Sequence, residues 1–215
     1  MQWECSSGWG VHFREDSTPT AATEVDGYVA NVPFDAGYRP EQSPPLLRLL
    51  TNAHAPWPAG RPLRYLDLGF GMGTSLAIHA AACPGEYWGC DINPAHVAAA
   101  RELVRCAGTN VHTLEVSFAS LLERSDLPSF DIVVAHGIWS WVSEANRAVI
   151  LQILRRHLVP DGVFCLNSLV LPGATHGLPL QRLMRAHKRL AGGMTNADDL
   201  SASGLAFARG LQQAG

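Results

Sequence analysis

The stretch YLDLGFGMGTSL, residues 65–76, places the strongest limit on what this chain can fold into. An apolar run leads into glycines at alternate positions, Gly69, Gly71 and Gly73, and a second apolar, helix-forming run follows. That order reads as strand, tight turn, helix. Glycine lets the backbone take positive φ and approach a ligand with no Cβ in the way. The free N–H groups at the start of the following helix favour an anionic group. Asp67 stands just ahead of the turn, at the end of the strand. A dinucleotide fingerprint, G-x-G-x-x-G, needs its third glycine where this chain has Thr74, which counts against NAD. No Lys-Ser/Thr pair completes a phosphate-binding P-loop either.

The same alternation continues. Leu63–Gly69 reads as a strand, a helix follows near Ser75–Ala82, and EYWGCD at 86–91 is a second strand. Asn93-Pro94 joins a capping side chain to a proline in the first helical turn, opening a helix to about Cys106 that Gly108 stops. Further strands are predicted at 110–116, 130–137 and 163–169, the last after a turn at Pro160-Asp161-Gly162. Between them a helix over Glu144–His157 turns Val149, Ile150, Ile153 and Leu154 toward the sheet. Strands alternating with helices make right-handed βαβ units and a parallel sheet covered on both faces. The predicted fold is a Rossmann-like, doubly wound α/β sheet in the order 3-2-1-4-5 with helical additions.

The flanks carry less pattern. Residues 1 to about 24 read as a loose polar arm, and Tyr28–Tyr38, with Pro33 and Gly37, as a surface segment that forms no element. Ser43-Pro44 opens a helix with Leu46, Leu47, Leu49 and Leu50 on its apolar face, ending before Pro56 and Pro58. Beyond Leu171 only helical patterns appear, at 178–190 and about 198–213. The organisation expected is an arm over 1–24, a ligand-binding domain over 25–175 and a helical segment over 176–215.

Composition narrows the function. With 47% hydrophobic and 16% charged residues, the chain has the make-up of one globular domain. A net charge of -3 offers no basic surface for nucleic acid or an anionic membrane, so neither is expected as a partner. The five cysteines are odd in number, scattered and without C-x-x-C spacing, which predicts reduced thiols and no metal site. The first residues resemble no signal peptide, and no apolar run approaches the ~18 residues of a membrane span, so a cytoplasmic location is expected.

Asp67 with Gly69, Gly71 and Gly73 resembles the first motif of class I S-adenosylmethionine-dependent methyltransferases. The resemblance implies S-adenosylmethionine as cofactor, its methionine end lying along Asp67, Gly69, Phe70, Gly71, Gly73 and Thr74. Asp67 would organise the loop or reach the amino group. Asp91 closes the second strand, where an acid accepts hydrogen bonds from ribose hydroxyls, with Ile92 beside it. The third motif departs from the common pattern, since Val116-Ser117-Phe118 stands where many such enzymes carry an acid near the adenine amino group. Ser117 would bond the base and Phe118 pack on it, or the two are a polar strand end and a core residue.

HGIWSWV at 136–142, LVPDGVFCLNSLVLPG at 158–173 and the MRAHKRL that follows resemble bacterial methyltransferases that carry a methyltransferase regulatory domain, over roughly residues 26–190. His136, Gly137, Ser140 and Trp141 match residue by residue, and Asn167 and Pro172-Gly173 more loosely. Members of that family continue into a further domain, and class I enzymes close the sheet with an antiparallel hairpin. Neither pattern is evident before the chain stops at Gly215, so a fragment or a shortened member is expected. His136, after the fourth strand, is the candidate general base, with loop ordering or cofactor contact as the alternative. Trp139 and Trp141 are candidate pocket walls, and Tyr28, Phe34 and Tyr38 a candidate lid. His79, His96 and His157 are assigned to surfaces. VVAHGIW lacks the Asn-Pro-Pro-aromatic motif of amino-group methylases of nucleic acids. The function expected is methyl transfer to an unidentified small-molecule or protein acceptor; a non-catalytic cofactor-binding module is the alternative.

Overall fold

The computed structural model describes residues 37–51, 58, 60–173 and 175–190, together with 24–25, 28–29 and the positions 206, 207, 209–211 and 213. The arm predicted before residue 24, Phe34 and the stretch before Pro56 lie outside the described residues. Those described form two compact units, one up to Ser168 and one from Leu169. Among them, no helix is long and apolar enough to cross a membrane.

The first unit opens with two short antiparallel strands, β1 (Glu24–Val25) and β2 (Tyr28–Val29). Tyr28 therefore does enter an element, contrary to expectation. Helix α1 spans Pro44–Thr51. The sheet is built from β3 (Leu63–Leu68), β4 (Gly85–Asp91), β5 (Val111–Glu115), β6 (Phe130–His136) and β7 (Leu158–Asn167). Between them run α2 (Thr74–Ala82), α3 (Pro94–Ala107), α4 (Phe118–Leu122) and α5 (Glu144–His157). The strands lie side by side as β5-β4-β3-β6-β7, every pair parallel. Counted within the sheet, this is the predicted order 3-2-1-4-5.

Alternate residues of a strand face opposite sides, and β3 builds a core on each. Leu66 and Leu68 pack with Val133, Leu121 of α4, and Ile150 and Ile153 of α5. Leu63 and Tyr65 pack with Tyr87, Val134, Leu47 of α1 and Leu76 of α2. Burial on both faces is what a central parallel strand requires. It also places the carboxyl ends of β3, β4 and β6 at one edge, where the loops that form the site begin. The second unit holds α6 (Leu178–Leu190), at the predicted place.

Further details differ from the sequence reading. Strand β7 begins at Leu158 rather than 163: the Pro160-Asp161-Gly162 turn is a bulge, since Phe130 pairs with Leu158 but Ile132 with Val163. Asp161 absorbs the bend at φ 60, a region that a short polar side chain tolerates. The five-residue α4 was too short to show a period; Ser117 caps it, its Oγ accepting from Ser120 N–H. Cys83, Cys90 and Cys165 carry free thiols, but Cys106 is disulfide-bonded, against the expectation of reduced thiols throughout.

His79, His96 and His157 are buried, not on surfaces. His79 lies against the rings of Tyr38 and Tyr65, at 5.5 and 6.1 Å, because α2 packs away from the sheet as well as onto it. His96 turns inward to the end of β4, and His157 Nδ1 meets the Pro128 carbonyl at 3.2 Å. Burial lowers the pKa of both His79 and His157.

Close helix packing explains one glycine of the turn. Gly73 has φ 76, and a Cβ there would overlap Ala100 on α3. Gly108, at φ 64, has open space around the same position. Gly108→Ala should cost the left-handed strain alone, about 1–2 kcal/mol. Gly73→Ala should cost at least ~1 kcal/mol more from overpacking. Urea unfolding of the two variants checks this, and equal losses would contradict the close α2–α3 contact.

Candidate functional site

A cavity of about 550 Å³ opens where the strands of the first unit end. Every residue singled out in the sequence as a cofactor contact lines it: Asp67 and the turn from Gly69 to Thr74, then Asp91, Ile92, Ser117, Phe118 and His136. Trp141 lines it too and is 66% exposed. Trp139 instead packs on the core beside α5, where Arg147 Nε donates to its carbonyl at 2.9 Å. Tyr38 lies against His79 rather than along the cavity, although its neighbours Gly37 and Arg39 do line it.

The turn is held by the end of β4. Gly69 and Phe70 N–H groups donate to the Cys90 carbonyl at 2.7 and 3.3 Å. Gly71 N–H donates to Asp91 Oδ2 at 2.9 Å, while Asp91 Oδ1 accepts from Asn93 N–H at 2.8 Å. His96 Nδ1 stands 3.2 Å from the same Oδ1. Asn93 in turn caps α3, its Oδ1 accepting from Ala95 N–H at 3.0 Å. A carboxylate offers about four acceptor positions; the two backbone hydrogen bonds occupy one on each oxygen. The three glycines do different work. A Cβ at Gly69 would overlap Ile138 and one at Gly73 would overlap Ala100, whereas at Gly71 it would meet open space.

Asp67 is 3% exposed, and among the described residues nothing hydrogen-bonds its carboxyl. Asp91 and Cys90, not Asp67, therefore organise the loop. Burial, and then the nearby charge of Asp91, push the Asp67 carboxyl up to about 7. Ser117 spends its hydroxyl on α4: Oγ accepts from Ser120 N–H and donates to Ser120 Oγ, both at 3.1 Å.

The far wall is formed after β6. His136 Nε2 faces Glu41 Oε1 at 3.4 Å. Burial lowers the His136 pKa, Arg39 adds to that, and Glu41 opposes it, so the ring is neutral at pH 7. The two motifs of the sequence resemblance are neighbours in space. Gly137 N–H donates to the Asn167 carbonyl at 3.1 Å, and the Ser140 and Ser168 hydroxyls share a bond of 2.8 Å.

Arg39, Glu41 and Gln42 carry no role in the sequence reading, and His96 is placed there on a surface instead of at the site. His96 had a local signal, five residues after Asp91 in the first turn of a capped helix. The other three had none, because they reach the site from a segment remote in sequence.

Residues 66–162 match a family model described as a methyltransferase domain. An uncharacterized protein of Synechocystis is 34% identical over 169 residues, covering 76% of this chain and 33% of that protein. An uncharacterized protein of Rickettsia prowazekii is 27% identical over 126 residues, covering 58% of this chain and 50% of that protein. The chain thus spans a third to a half of the length of these relatives. Among solved structures, PKMT2 from Rickettsia typhi in complex with AdoHcy superposes with a TM-score of 0.61 at 26% identity, over 71% of this chain and 31% of its own.

The raised Asp67 pKa carries a stability consequence with a definite sign. Between its unfolded value near 3.8 and about 7, the folded state holds a proton that the unfolded state has lost. Stability from this group is therefore fully present below pH ~4 and is lost as pH rises through 7, by on the order of 4 kcal/mol at most. Asp67→Asn should flatten that slope and unfold at higher urea than the wild type at pH 8. Identical pH dependence of the two urea midpoints would contradict the buried, unbonded carboxyl.

Proposed function

We propose, from the methyltransferase-domain match over residues 66–162, that this chain is a class I S-adenosylmethionine-dependent methyltransferase that binds S-adenosylmethionine and transfers its methyl group to an acceptor. The observation that carries the reading is the convergence of the glycine turn, Asp67, Asp91 and His136 on one cavity at the strand ends. The cavity suits the cofactor on its own geometry. Gly71 faces open space, the buried Asp67 carboxyl has no hydrogen-bond partner among the described residues, and each Asp91 oxygen accepts one backbone N–H with room for a further donor.

In this reading Asp91 accepts a ribose hydroxyl, Ile92 and Phe118 flank the base, and Asp67 meets the ammonium of the methionine moiety. The cofactor supplies an electrophilic methyl group on a sulfonium. The protein's part is to hold the acceptor in line, keep water out and, where the acceptor must lose a proton, take it. His136 suits that last role. A proton on Nε2, the nitrogen that faces Glu41, would leave Nδ1 as the lone-pair atom, and a lowered pKa favours the neutral ring. Exposed Trp141 marks the side from which the acceptor enters. A small molecule or a protein segment fits the net negative charge better than nucleic acid. The relatives' occurrence in Synechocystis and Rickettsia supports a bacterial setting.

Calorimetry tests the cofactor half: S-adenosylhomocysteine should bind with one-to-one stoichiometry and NAD should give no heat. Binding of NAD alone would overturn the reading. For the transfer half, a labelled-methyl assay against a bacterial extract should yield a labelled acceptor. His136→Ala should then lower turnover by on the order of 10²-fold while leaving S-adenosylhomocysteine affinity within about 3-fold. Unchanged turnover would leave His136 a loop residue.

A further inference from the structure

Glu41 Oε1 lies 3.4 Å from Nε2 of the His136 ring. His136 lines the cavity and Glu41 does not, so the carboxylate meets the ring outside the space that a ligand would fill. An acid on one ring nitrogen sets the tautomer and the direction of the other, which is how an imidazole base is oriented.

A pinned element carries this acid. Pro40–Gln42 form a single 3-10 turn, closed by Gln42 and Ser43 N–H groups that donate to the Arg39 and Pro40 carbonyls at 3.2 and 3.0 Å. Tyr65 OH donates to the Gln42 carbonyl at 3.2 Å, and Arg39 N–H donates to Ser75 Oγ at 2.8 Å. His79, one helical turn further along α2, hydrogen-bonds the Arg39 backbone. Side chains of β3 and α2 thus hold both ends of the turn, with Glu41 between them. At 45% exposure the Glu41 side chain is not needed to fill the core. The ring of His136, rather than packing, gives a carboxylate at this place its use.

We propose that Glu41 is the positioning residue of His136: it holds the ring with the proton on Nε2 and turns the lone pair of Nδ1 to the methyl acceptor. This rests on the reading of His136 as the base of the transfer. A contact of 3.4 Å is long for a hydrogen bond, as catalytic contacts often are before substrate binds, and it shortens when the acceptor is in place. The acceptor's proton then passes to Nδ1 while its electron pair goes to the methyl carbon, and the pair of the broken carbon–sulfur bond stays on sulfur. The charge of Glu41 favours the imidazolium that results.

Among the described residues, the other charged or titratable groups around the ring are Arg39 in the same segment, Asp67 on β3 and Cys165 on β7. Asp67 and Cys165 both pair in register with Val134, and the β7 residue opposite His136 is the uncharged Asn167. Asp67, pushed up to about 7, titrates in the range of a histidine, so the ring itself must be read.

The test uses histidine side-chain NMR on the whole chain, comparing the wild type, Glu41→Ala and Glu41→Gln, with His136→Ala to assign the signal. Proton–nitrogen correlation spectra show which ring nitrogen bears the proton. In the wild type it should be Nε2. Glu41→Ala should lose that preference, whereas Glu41→Gln, which keeps an acceptor oxygen, should retain it. Both should titrate at lower pH than the wild type, because Glu41 opposes the lowering of the His136 pKa. S-adenosylhomocysteine affinity should stay within ~2-fold in both, which also shows that they are folded. In the labelled-methyl assay against a bacterial extract, Glu41→Ala should transfer label about 10-fold or more slowly and Glu41→Gln less so, both with the acid limb of the pH profile moved down. A wild-type proton on Nδ1, or a ring whose tautomer and titration ignore Glu41→Ala, would overturn the proposal and leave His136 as base. Unchanged transfer by His136→Ala would overturn that base and the proposal with it.

Discussion

The hydrogen bond from Gly71 N–H to Asp91 Oδ2, at 2.9 Å, joins the two strand ends on which the site is built. The glycine turn has little to hold it by itself, since its residues contribute no polar side chain before Thr74. Asp91 supplies the missing anchor and spends its other oxygen on Asn93 N–H, the residue that caps α3. One buried carboxylate thereby fixes the turn and the start of the next helix. His96, fully buried against it, limits the directions in which the carboxylate can rotate. Because β4 lies between β3 and β5, moving Asp91 would disturb three strand ends together.

Around that anchor the cavity has two sides of different chemistry. Toward α2 lie an uncapped helix start, the pinned 39–42 segment and a carboxyl that burial holds near neutrality. Toward β6 and β7 lie a neutral imidazole and an exposed indole, on loops stitched together by Gly137–Asn167 and Ser140–Ser168. The first side is built to bind a charged, polar group. In the proposed function the second is the side that meets the methyl acceptor and takes its proton. Glu41 touches the second side through His136 while Arg39 and Gln42 belong to the first, so one short segment couples the two.

How much of this could be read in advance follows from the range of the forces involved. Strands and helices announced themselves because burial on a sheet face or helix face repeats locally, and the glycine turn because its backbone geometry restricts residue type. Asp91 was legible because strand-end acids recur at a fixed place in such sheets. His79, His96 and His157 were misread because each is buried by a tertiary neighbour: the 38–39 segment, Asp91 and the Pro128 carbonyl. A helix as apolar as AIHAAA was itself a sign that α2 is covered on more than one side. The glycines had been assigned jointly to ligand approach, yet Gly69 and Gly73 make room for Ile138 and Ala100. The Arg39–Gln42 segment was invisible because nothing local distinguishes it; only the fold brings it to the cavity.

The affinity of Asp91→Asn for S-adenosylhomocysteine tests the central claim most directly. An asparagine keeps the size and shape of the side chain but replaces one acceptor oxygen by a donor amide. It can then satisfy Gly71 N–H or Asn93 N–H, but not both, and loses the charge that a ribose hydroxyl would meet. The account predicts that affinity falls about 10-fold or more. An affinity equal to that of the wild type, in a variant that folds normally, would contradict the role given to Asp91 and the site built on it.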